Sequence, residues 1–87
     1  RIEVEVETVE EAREALAAQA DAILLDNMTT DQMHEVVELS AGTSILEASG
    51  GINLDTVRDI ASTGVDLISV GALTHSVKSL DVSLEIY

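Results

Sequence analysis

The sequence predicts an α/β fold in which four short strands alternate with three helices in the order βαβαβαβ. Short apolar runs are separated by segments with helical periodicity, and each of these segments begins beside a residue that can cap a helix. The 87 residues contain no proline that would interrupt the pattern. Strands joined by helices of about ten residues pair in parallel through right-handed crossovers. A parallel sheet covered by helices is therefore expected.

The first strand and helix are predicted from alternation and capping. Residues 2–6 alternate apolar and acidic side chains, which is typical of a strand with one polar face. Thr8 is placed to cap a helix over residues 9–18. Glu10 and Glu11 fall in its first turn, near the positive end of the helix dipole.

The middle of the chain repeats this alternation. Residues 22–25 form a short apolar run that predicts a buried parallel strand. Thr29 and Gln32 fit a capping box for a helix over residues 30–39. A third strand is predicted over residues 43–48.

The last predicted helix begins after Asn53 and runs to about Ser62, with Gly64 at its C-cap. The remaining predicted elements are a fourth strand over residues 65–70, a short helical turn near residues 72–73 and an extended segment over residues 81–86.

Composition narrows the class of protein. Eighty-seven residues allow one small domain, and 46% hydrophobic content with a single aromatic residue predicts a globular core of aliphatic side chains. Cysteine is absent, which excludes disulfides and thiolate metal sites, and no apolar run is long enough for a membrane span. A cytoplasmic protein is the default expectation.

Seventeen acidic residues against four basic ones give a net charge of −13, which argues against nucleic-acid binding. Two explanations of the acidity remain open. Basic residues could lie elsewhere in a longer polypeptide, or the host could have an acidic, halophilic proteome.

Each predicted strand ends in polar residues or glycines. In parallel α/β folds, the carboxyl ends of the strands carry the ligand site. The residues at these ends are Glu5, Asp26, Asn27, Ser49, Gly50, Gly51 and Gly71.

The glycine clusters predict an anion site. Gly50 and Gly51 let the backbone approach a phosphate, and the helix that follows offers free amide donors at its N-terminus. The alternative is a tight turn that needs positive φ. Gly71 lies in a second glycine loop after the next strand, which favours phosphate. His75 follows it and is either a phosphate donor or a surface or capping residue.

The carboxylates are ambiguous from the sequence alone. Asp26 can accept hydrogen bonds from ribose hydroxyls or bind a metal ion, or it can be a turn residue; Glu5 can do the same or be solvated at the sheet edge. Glu47 shares a strand face with Ile45 and is expected to point to a partly polar interior. His34 is expected on the surface, and no spacing resembles a zinc site.

Five segments in order resemble the C-terminal part of the quinolinate phosphoribosyltransferases, also called carboxylating nicotinate-nucleotide pyrophosphorylases. The resemblance covers nearly the whole chain, and it rests on the order and spacing of all five segments, with GALTHS among them. The segments are EVEVE (3–7), ILLDNM (23–28), LEASGGI (46–52), TGVDLISVGALTHS (63–76) and LDVSLEI (80–86).

The resemblance implies a fold and an activity. The fold is an incomplete barrel, so that residues 1–87 would be a single fragment, a partial (half) TIM-like α/β barrel, joined to an N-terminal sandwich domain. The activity converts quinolinate and phosphoribosyl pyrophosphate to nicotinate mononucleotide, pyrophosphate and CO2 in NAD synthesis, with Mg²⁺. The enzyme would be a homodimer or a larger homo-oligomer.

The resemblance also implies roles for individual residues. Glu5 and Asp26 would be catalytic, holding ribose hydroxyls and the associated Mg²⁺. The residues implied around the 5′-phosphate are Ser49, Gly50, Gly51, Gly71 and His75.

The sequence also departs from the family pattern. The family's Arg, Lys and His clamp for quinolinate and pyrophosphate has no match in Arg1, Arg13, Arg58 or Lys78, so the fragment alone is expected to be inactive. Two alternatives stay open: a non-catalytic, self-associating barrel fragment, and the pyrophosphorylase-like relative found with molybdenum transport genes.

Overall fold

The structure is a computed structural model and describes residues 1–70 and 73–77. Three helices and five strands alternate over most of this length. They are β1 (Glu3–Val6), α1 (Val9–Ala17), β2 (Ala22–Asp26), α2 (Thr30–Ser40), β3 (Ile45–Ser49), α3 (Leu54–Ala61), β4 (Leu67–Val70) and β5 (Leu73–Ser76). No helix in the described ranges has the length and apolar character needed to cross a membrane.

One sheet joins all five strands in sequential order, from β1 to β5. The first four strands pair in parallel, which confirms the predicted α/β fold. Helix α1 contacts α2, and α2 contacts α3. Sequential parallel strands linked by crossovers of one hand place their helices on one face of the sheet, as in part of a barrel.

The core lies between the sheet and the helices. Alternate strand residues face the helices, and they are almost all fully buried: Val6, Ile23, Leu25, Leu46, Ala48, Ile68 and Val70. The helices contribute Ala12, Ala15, Met33, Val36 and Ile60. The core is therefore aliphatic, as the composition predicts, and its stability depends on close packing of branched side chains.

The opposite side of the sheet, here called the helix-free face, carries a mixed row of side chains. Glu5, Leu24, Glu47 and Leu67 are register partners across β1 to β4 and all point to this face. These residues are exposed or half-buried, whereas their neighbours on the helix side are buried apart from Val4, which is half-buried. The face therefore alternates acidic and apolar side chains from one strand to the next.

The predicted N-caps are confirmed. Thr8 Oγ1 accepts from the Glu11 amide at 3.1 Å. In the capping box of α2, Gln32 N donates to Thr29 Oγ1 at 3.1 Å, and Thr29 N donates to Gln32 Oε1 at 2.9 Å. Asn53 caps α3.

The end of α3 and the segment after β4 differ from the prediction. The C-cap is Ser62, and Gly64 follows two residues later with φ +99°. The predicted helical turn near residues 72–73 is wrong at Leu73, which begins β5. Strand β5 pairs antiparallel with β4, because only two residues separate them and β4 offers a free edge there. The predicted extended segment over residues 81–86 lies outside the described residues.

Two aspartates at the N-terminal edge of the sheet, Asp21 and Asp66, each extend the hydrogen bonding with the preceding strand. Asp66 Oδ2 accepts from the Leu46 amide at 2.9 Å, while the Asp66 amide donates to the Leu46 carbonyl at 2.9 Å. Asp21 makes the same pair of bonds with Ile2, at 2.7 and 2.9 Å. Each aspartate therefore adds a side-chain acceptor at the N-terminal end of its strand pairing.

Replacing Asp66 should show how much this bond contributes. Asp66→Ala leaves the Leu46 amide without its acceptor, and we expect a loss of about 1–3 kcal/mol in the free energy of unfolding. Asp66→Asn keeps an acceptor oxygen and should lose less. Urea unfolding of both variants in the full-length protein measures this, and equal stability of Ala and Asn variants would show that the bond contributes nothing.

Candidate functional site

The predicted site residues of the first three strands converge at one edge of the sheet. Glu5 lies on β1, Asp26 ends β2 and Ser49 ends β3. Asp26 and Ser49 are register partners, and Glu5 is paired with Leu24, two residues before Asp26. All three side chains therefore point to the helix-free face at its C-terminal edge. The structure therefore brings these three residues to one face, while their roles stay predictions.

Asp26 is half-buried at the centre of this edge. Its Oδ1 accepts from the Ser49 hydroxyl at 3.5 Å, a long hydrogen bond that leaves the carboxylate largely available. Beside it, Asn27 has a left-handed backbone with φ 56°, and its amide donates to the Ser49 carbonyl at 2.9 Å. That bond continues the β2–β3 ladder by one residue and fixes Asp26 against β3.

Gly50 packs directly against Asp26. A Cβ at this position would lie 2.7 Å from Asp26 Oδ1 and 3.0 Å from the Asn27 amide nitrogen, so only glycine fits without a shift. The backbone of Gly50 has φ +82° and that of Gly51 has φ +59°. The tight-turn reason offered by the sequence, positive φ, therefore applies at Gly50. The lack of a Cβ there also admits the close packing of Gly50 against Asp26.

The N-terminus of α3 differs from the expectation that its amides are free. Asn53 Oδ1 accepts from the amides of Asp55 and Thr56, at 2.8 and 3.2 Å. The helix cap therefore already uses the donors that an anion would need. An anion at this edge would depend on the amides of Gly50 and Gly51 instead.

A hydrogen-bonded chain of side chains crosses the last three strands on the helix-free face. The Ser69 hydroxyl donates to Glu47 Oε2, and Ser69 Oγ lies 3.0 Å from Thr74 Oγ1. Sequence reasoning placed Glu47 toward a polar interior but missed Ser69 and Thr74. The signal available in the sequence was the alternation of β4, which puts the polar Ser69 on the same face as Leu67.

The other predicted residues have different outcomes. Gly71 lies outside the described residues. The backbone of His75 pairs with Ile68, the second residue of β4, in the antiparallel β4–β5 ladder. His34 is exposed on α2, with its Nε2 2.9 Å from Glu38 Oε1, which confirms the expected surface position.

A cleft of about 330 Å³ lies over the N-terminal and central part of the helix-free face, and its lining includes Arg1, Glu3, Glu5, Leu24, Ile45, Glu47 and Leu67. Of the site residues on β1 to β3 it reaches Glu5 but not Asp26, Ser49, Gly50 or Gly51. The acidic and apolar lining suits a ligand that has hydroxyl groups beside an apolar surface. Within residues 1–70 and 73–77, no three His, Cys, Asp or Glu side chains group closely enough to hold a metal ion.

The family model described as "Quinolinate phosphoribosyl transferase, C-terminal domain" matches residues 1–85. The chain belongs to this family. The match includes the three strand ends that meet at the helix-free face, so the family assignment and the geometry concern the same residues.

Named relatives agree with this assignment. The chain is 49% identical over 85 residues to the "probable nicotinate-nucleotide pyrophosphorylase [carboxylating]" of Bacillus subtilis, covering 98% of the chain and 29% of that protein. It is 47% identical over 93 residues to the protein of that name in Methanocaldococcus jannaschii, covering 99% of the chain and 33% of the relative. The chain therefore spans about three tenths of the length of these relatives.

Solved structures of the same family share the fold. The crystal structure of the nicotinate-nucleotide pyrophosphorylase from Ehrlichia chaffeensis matches with a TM-score of 0.77 and 42% identity, over 79% of this chain and 25% of that one. The enzyme from Francisella tularensis matches with a TM-score of 0.75 and 44% identity, over 80% and 25%. The sheet and helices described above are thus those of a partial α/β barrel of the quinolinate phosphoribosyltransferase family.

Proposed function

We propose that the chain is the ribose-phosphate-binding part of a longer enzyme that converts quinolinate and phosphoribosyl pyrophosphate to nicotinate mononucleotide, pyrophosphate and CO2. The observation that carries the proposal is the contact between Gly50 and Asp26 at the C-terminal edge of the helix-free face. It brings a carboxylate, which can accept from hydroxyl groups, beside a glycine turn whose amides can donate to a phosphate. The names of the relatives supply the reaction.

Glu5 and Asp26 are the proposed groups for the ribose. Carboxylates accept hydrogen bonds only, and two neighbouring hydroxyls of a ribose ring offer two donors. The side chains lie on one face at diagonal positions of β1 and β2. Strand geometry gives a distance of about 8 Å between their Cα atoms. A sugar ring can lie between them, with one hydroxyl directed to each carboxylate.

The 5′-phosphate is proposed to lie at the glycine turn after β3. The amides of Gly50 and Gly51 and the Ser49 hydroxyl are neutral donors that suit a phosphate. Gly71, which lies outside the described residues, and His75 stay predicted members of this group. Neutral donors matter here because the chain carries a net charge of −13 and supplies little positive charge of its own.

Mg²⁺ fits the donor set in part. Glu5 and Asp26 offer the oxygen ligands that Mg²⁺ prefers, but the described residues form no closed cage of three or more ligands. Mg²⁺ commonly takes one or two carboxylates and completes its octahedron with water and substrate oxygens. These two carboxylates would therefore hold the ion only together with the bound substrate, where it would neutralise pyrophosphate charge.

The proposal assigns the quinolinate and pyrophosphate clamp to the portion of the relatives that the chain does not span. This portion is about two thirds of their length. Residues 1–87 alone should therefore be inactive, and homo-oligomeric assembly and a cytoplasmic location stay predictions. The names of the relatives favour this activity over that of the molybdenum-associated relative.

Product formation by the full-length protein tests the proposal. We expect nicotinate mononucleotide and CO2 from quinolinate and phosphoribosyl pyrophosphate, and no product from residues 1–87 alone. A folded full-length protein that releases no CO2 from quinolinate would contradict it.

Self-association is a second function that one observation favours. Ile2 and Ile45 are 51% and 42% exposed at the N-terminal part of the sheet, and the outer edge of β1 has no partner strand among the described residues. Open strand edges and exposed aliphatic side chains promote association.

Salt should control this association in the isolated chain. The net charge of −13 makes copies repel over a Debye length of about 10 Å at 0.1 M salt, and over a longer range in more dilute salt. We expect a folded oligomer at high salt and a partly disordered monomer at low salt, measured by sedimentation and circular dichroism. A compact, cooperatively folding monomer at low salt would show that the half-barrel is stable alone.

A further inference from the structure

The helix-free face of the sheet carries aliphatic side chains that no described element covers. Leu24 and Leu67 are half-buried on this face, and Ile45 is 42% exposed. All three line the cleft of about 330 Å³. Parallel sheets are almost always covered on both faces, so a further segment of protein is expected to pack here.

Glu47 lies in the middle of this face, between two leucines. Its register partners are Leu24 on β2 and Leu67 on β4, so the carboxylate has an aliphatic neighbour on each side. The Ser69 hydroxyl donates to Oε2, and within the described residues this is the only hydrogen bond that the carboxylate accepts. A neutral hydroxyl does not balance the charge. Covering the face removes water from Glu47, and a carboxylate without water needs an opposite charge.

The described residues place no cation against Glu47. Arg13 and Arg58 belong to α1 and α3, on the other side of the sheet. Arg1 lines the same cleft, but one of its guanidinium nitrogens lies 3.4 Å from Glu3 Oε1, in a pair at the N-terminal end of β1. The cation that balances Glu47 must therefore come from outside the described residues.

A second copy of the chain does not meet this requirement as the cover of the face. It would bring another Glu5 and Glu47 against the first pair, and each copy carries a net charge of −13. Like charges brought together in an interface without water oppose association. The portion of the relatives that the chain does not span is about two thirds of their length, which is ample for the strands that close a barrel.

We propose that the rest of the full-length polypeptide covers the helix-free face and places one Lys or Arg side chain against the carboxylate of Glu47. Ser69 holds Oε2 toward β4, which leaves Oε1 for the cation. This ion pair joins the half-barrel of residues 1–77 to the remainder of the protein. It concerns the assembly of the barrel and not the reaction, so it does not depend on the proposed function.

Thermal unfolding of the full-length protein tests the proposal through the sign of one change. Glu47→Gln keeps the size of the side chain and an acceptor for Ser69, but it removes the charge. With a cation against Glu47, the variant leaves that cation buried and unpaired, and the unfolding temperature should fall by about 5–10 °C. Without one, the variant relieves a buried carboxylate, and an unchanged or higher unfolding temperature would overturn the proposal.

Matched variants separate this pair from surface charges. Glu35→Gln removes an exposed carboxylate that lies 3.4 Å from Arg13, and it should lower the unfolding temperature by less than about 2 °C. The loss in Glu47→Gln should persist in about 1 M salt, because buried pairs are screened much less than exposed ones. Disappearance of the loss in salt would show a surface interaction instead.

The remaining outcomes identify the source of the cation. If Arg1→Gln or Lys78→Gln reproduces the loss seen in Glu47→Gln, the partner belongs to this chain and the proposal is wrong. A crystal structure of the wild-type full-length protein should show a Lys or Arg nitrogen from outside residues 1–87 within about 4 Å of the Glu47 carboxylate. A carboxylate that contacts only water, or only apolar groups besides Ser69, would also contradict the proposal.

Discussion

Asp26→Asn in the full-length protein is expected to lower kcat/KM by about 10- to 100-fold. The variant keeps the size of the side chain but loses the charge that would hold ribose hydroxyls or Mg²⁺, a contact of about 1.5–3 kcal/mol. The fold should persist, because the only bond that Asp26 makes through its side chain in the described residues is the 3.5 Å contact with Ser49.

Steady-state kinetics with both substrates and a thermal unfolding curve measure the two parts of this expectation. Asp59→Asn is a suitable control, since Asp59 is exposed on α3 and belongs to neither the strand ends nor the helix-free face. Unchanged kinetics in Asp26→Asn would remove this carboxylate from the site. A lowered unfolding temperature with unchanged kinetics would give it a purely structural role.

Gly50→Ala should be the more damaging of two matched glycine substitutions. Gly42 and Gly50 both have φ +82°, but a Cβ at Gly42 would meet nothing within 4 Å, whereas one at Gly50 would meet Asp26 Oδ1 and the Asn27 amide. Gly42→Ala should therefore cost only the left-handed backbone strain, about 1–2 kcal/mol. Gly50→Ala adds a steric conflict of about 1–3 kcal/mol.

Urea unfolding of both variants in the full-length protein measures the difference between them. Activity should fall in Gly50→Ala alone, because the new methyl group displaces the Asp26 carboxylate. In an Asp26→Ala background the closest contact is gone, so Gly50→Ala should then destabilise less, and a double-mutant cycle quantifies this coupling. Equal effects of Gly42→Ala and Gly50→Ala would show that the Gly50 contact is relaxed easily.

The parts of the fold that depend on local signals were predictable from the sequence. The N-caps Thr8, Thr29 and Asn53 act on amides two or three residues away, so their pattern is readable in one dimension. The period-two alternation of β1 and the apolar run of β2 likewise place Glu5 and Asp26 at strand ends. Parallel pairing then brings those ends to one edge.

Features that depend on pairing between distant segments were not predictable. Strand β5 forms because β4 has a free edge, and no local pattern in Leu73–Ser76 distinguishes a strand from a helical turn. The Glu47–Ser69–Thr74 chain needs the register of three strands, and a shift of one residue would move each member to the other face. Only the structure supplies that register.

One prediction failed because two inferences used the same residue. Asn53 was correctly predicted to cap α3, yet the amides of that helix were also expected to be free for an anion. A capping side chain satisfies the amides that an anion would otherwise bind, so the two expectations exclude each other. The phosphate proposal consequently rests on Gly50 and Gly51, and the roles of the site residues stay predictions.

A crystal structure of the full-length protein with nicotinate mononucleotide tests the central claim most directly. The account predicts the ribose hydroxyls against the Glu5 and Asp26 carboxylates, and the phosphate within about 3 Å of the Gly50 and Gly51 amides on the helix-free face. A nucleotide bound at the N-terminal edge of the sheet, or with its phosphate away from the turn after β3, would contradict the account.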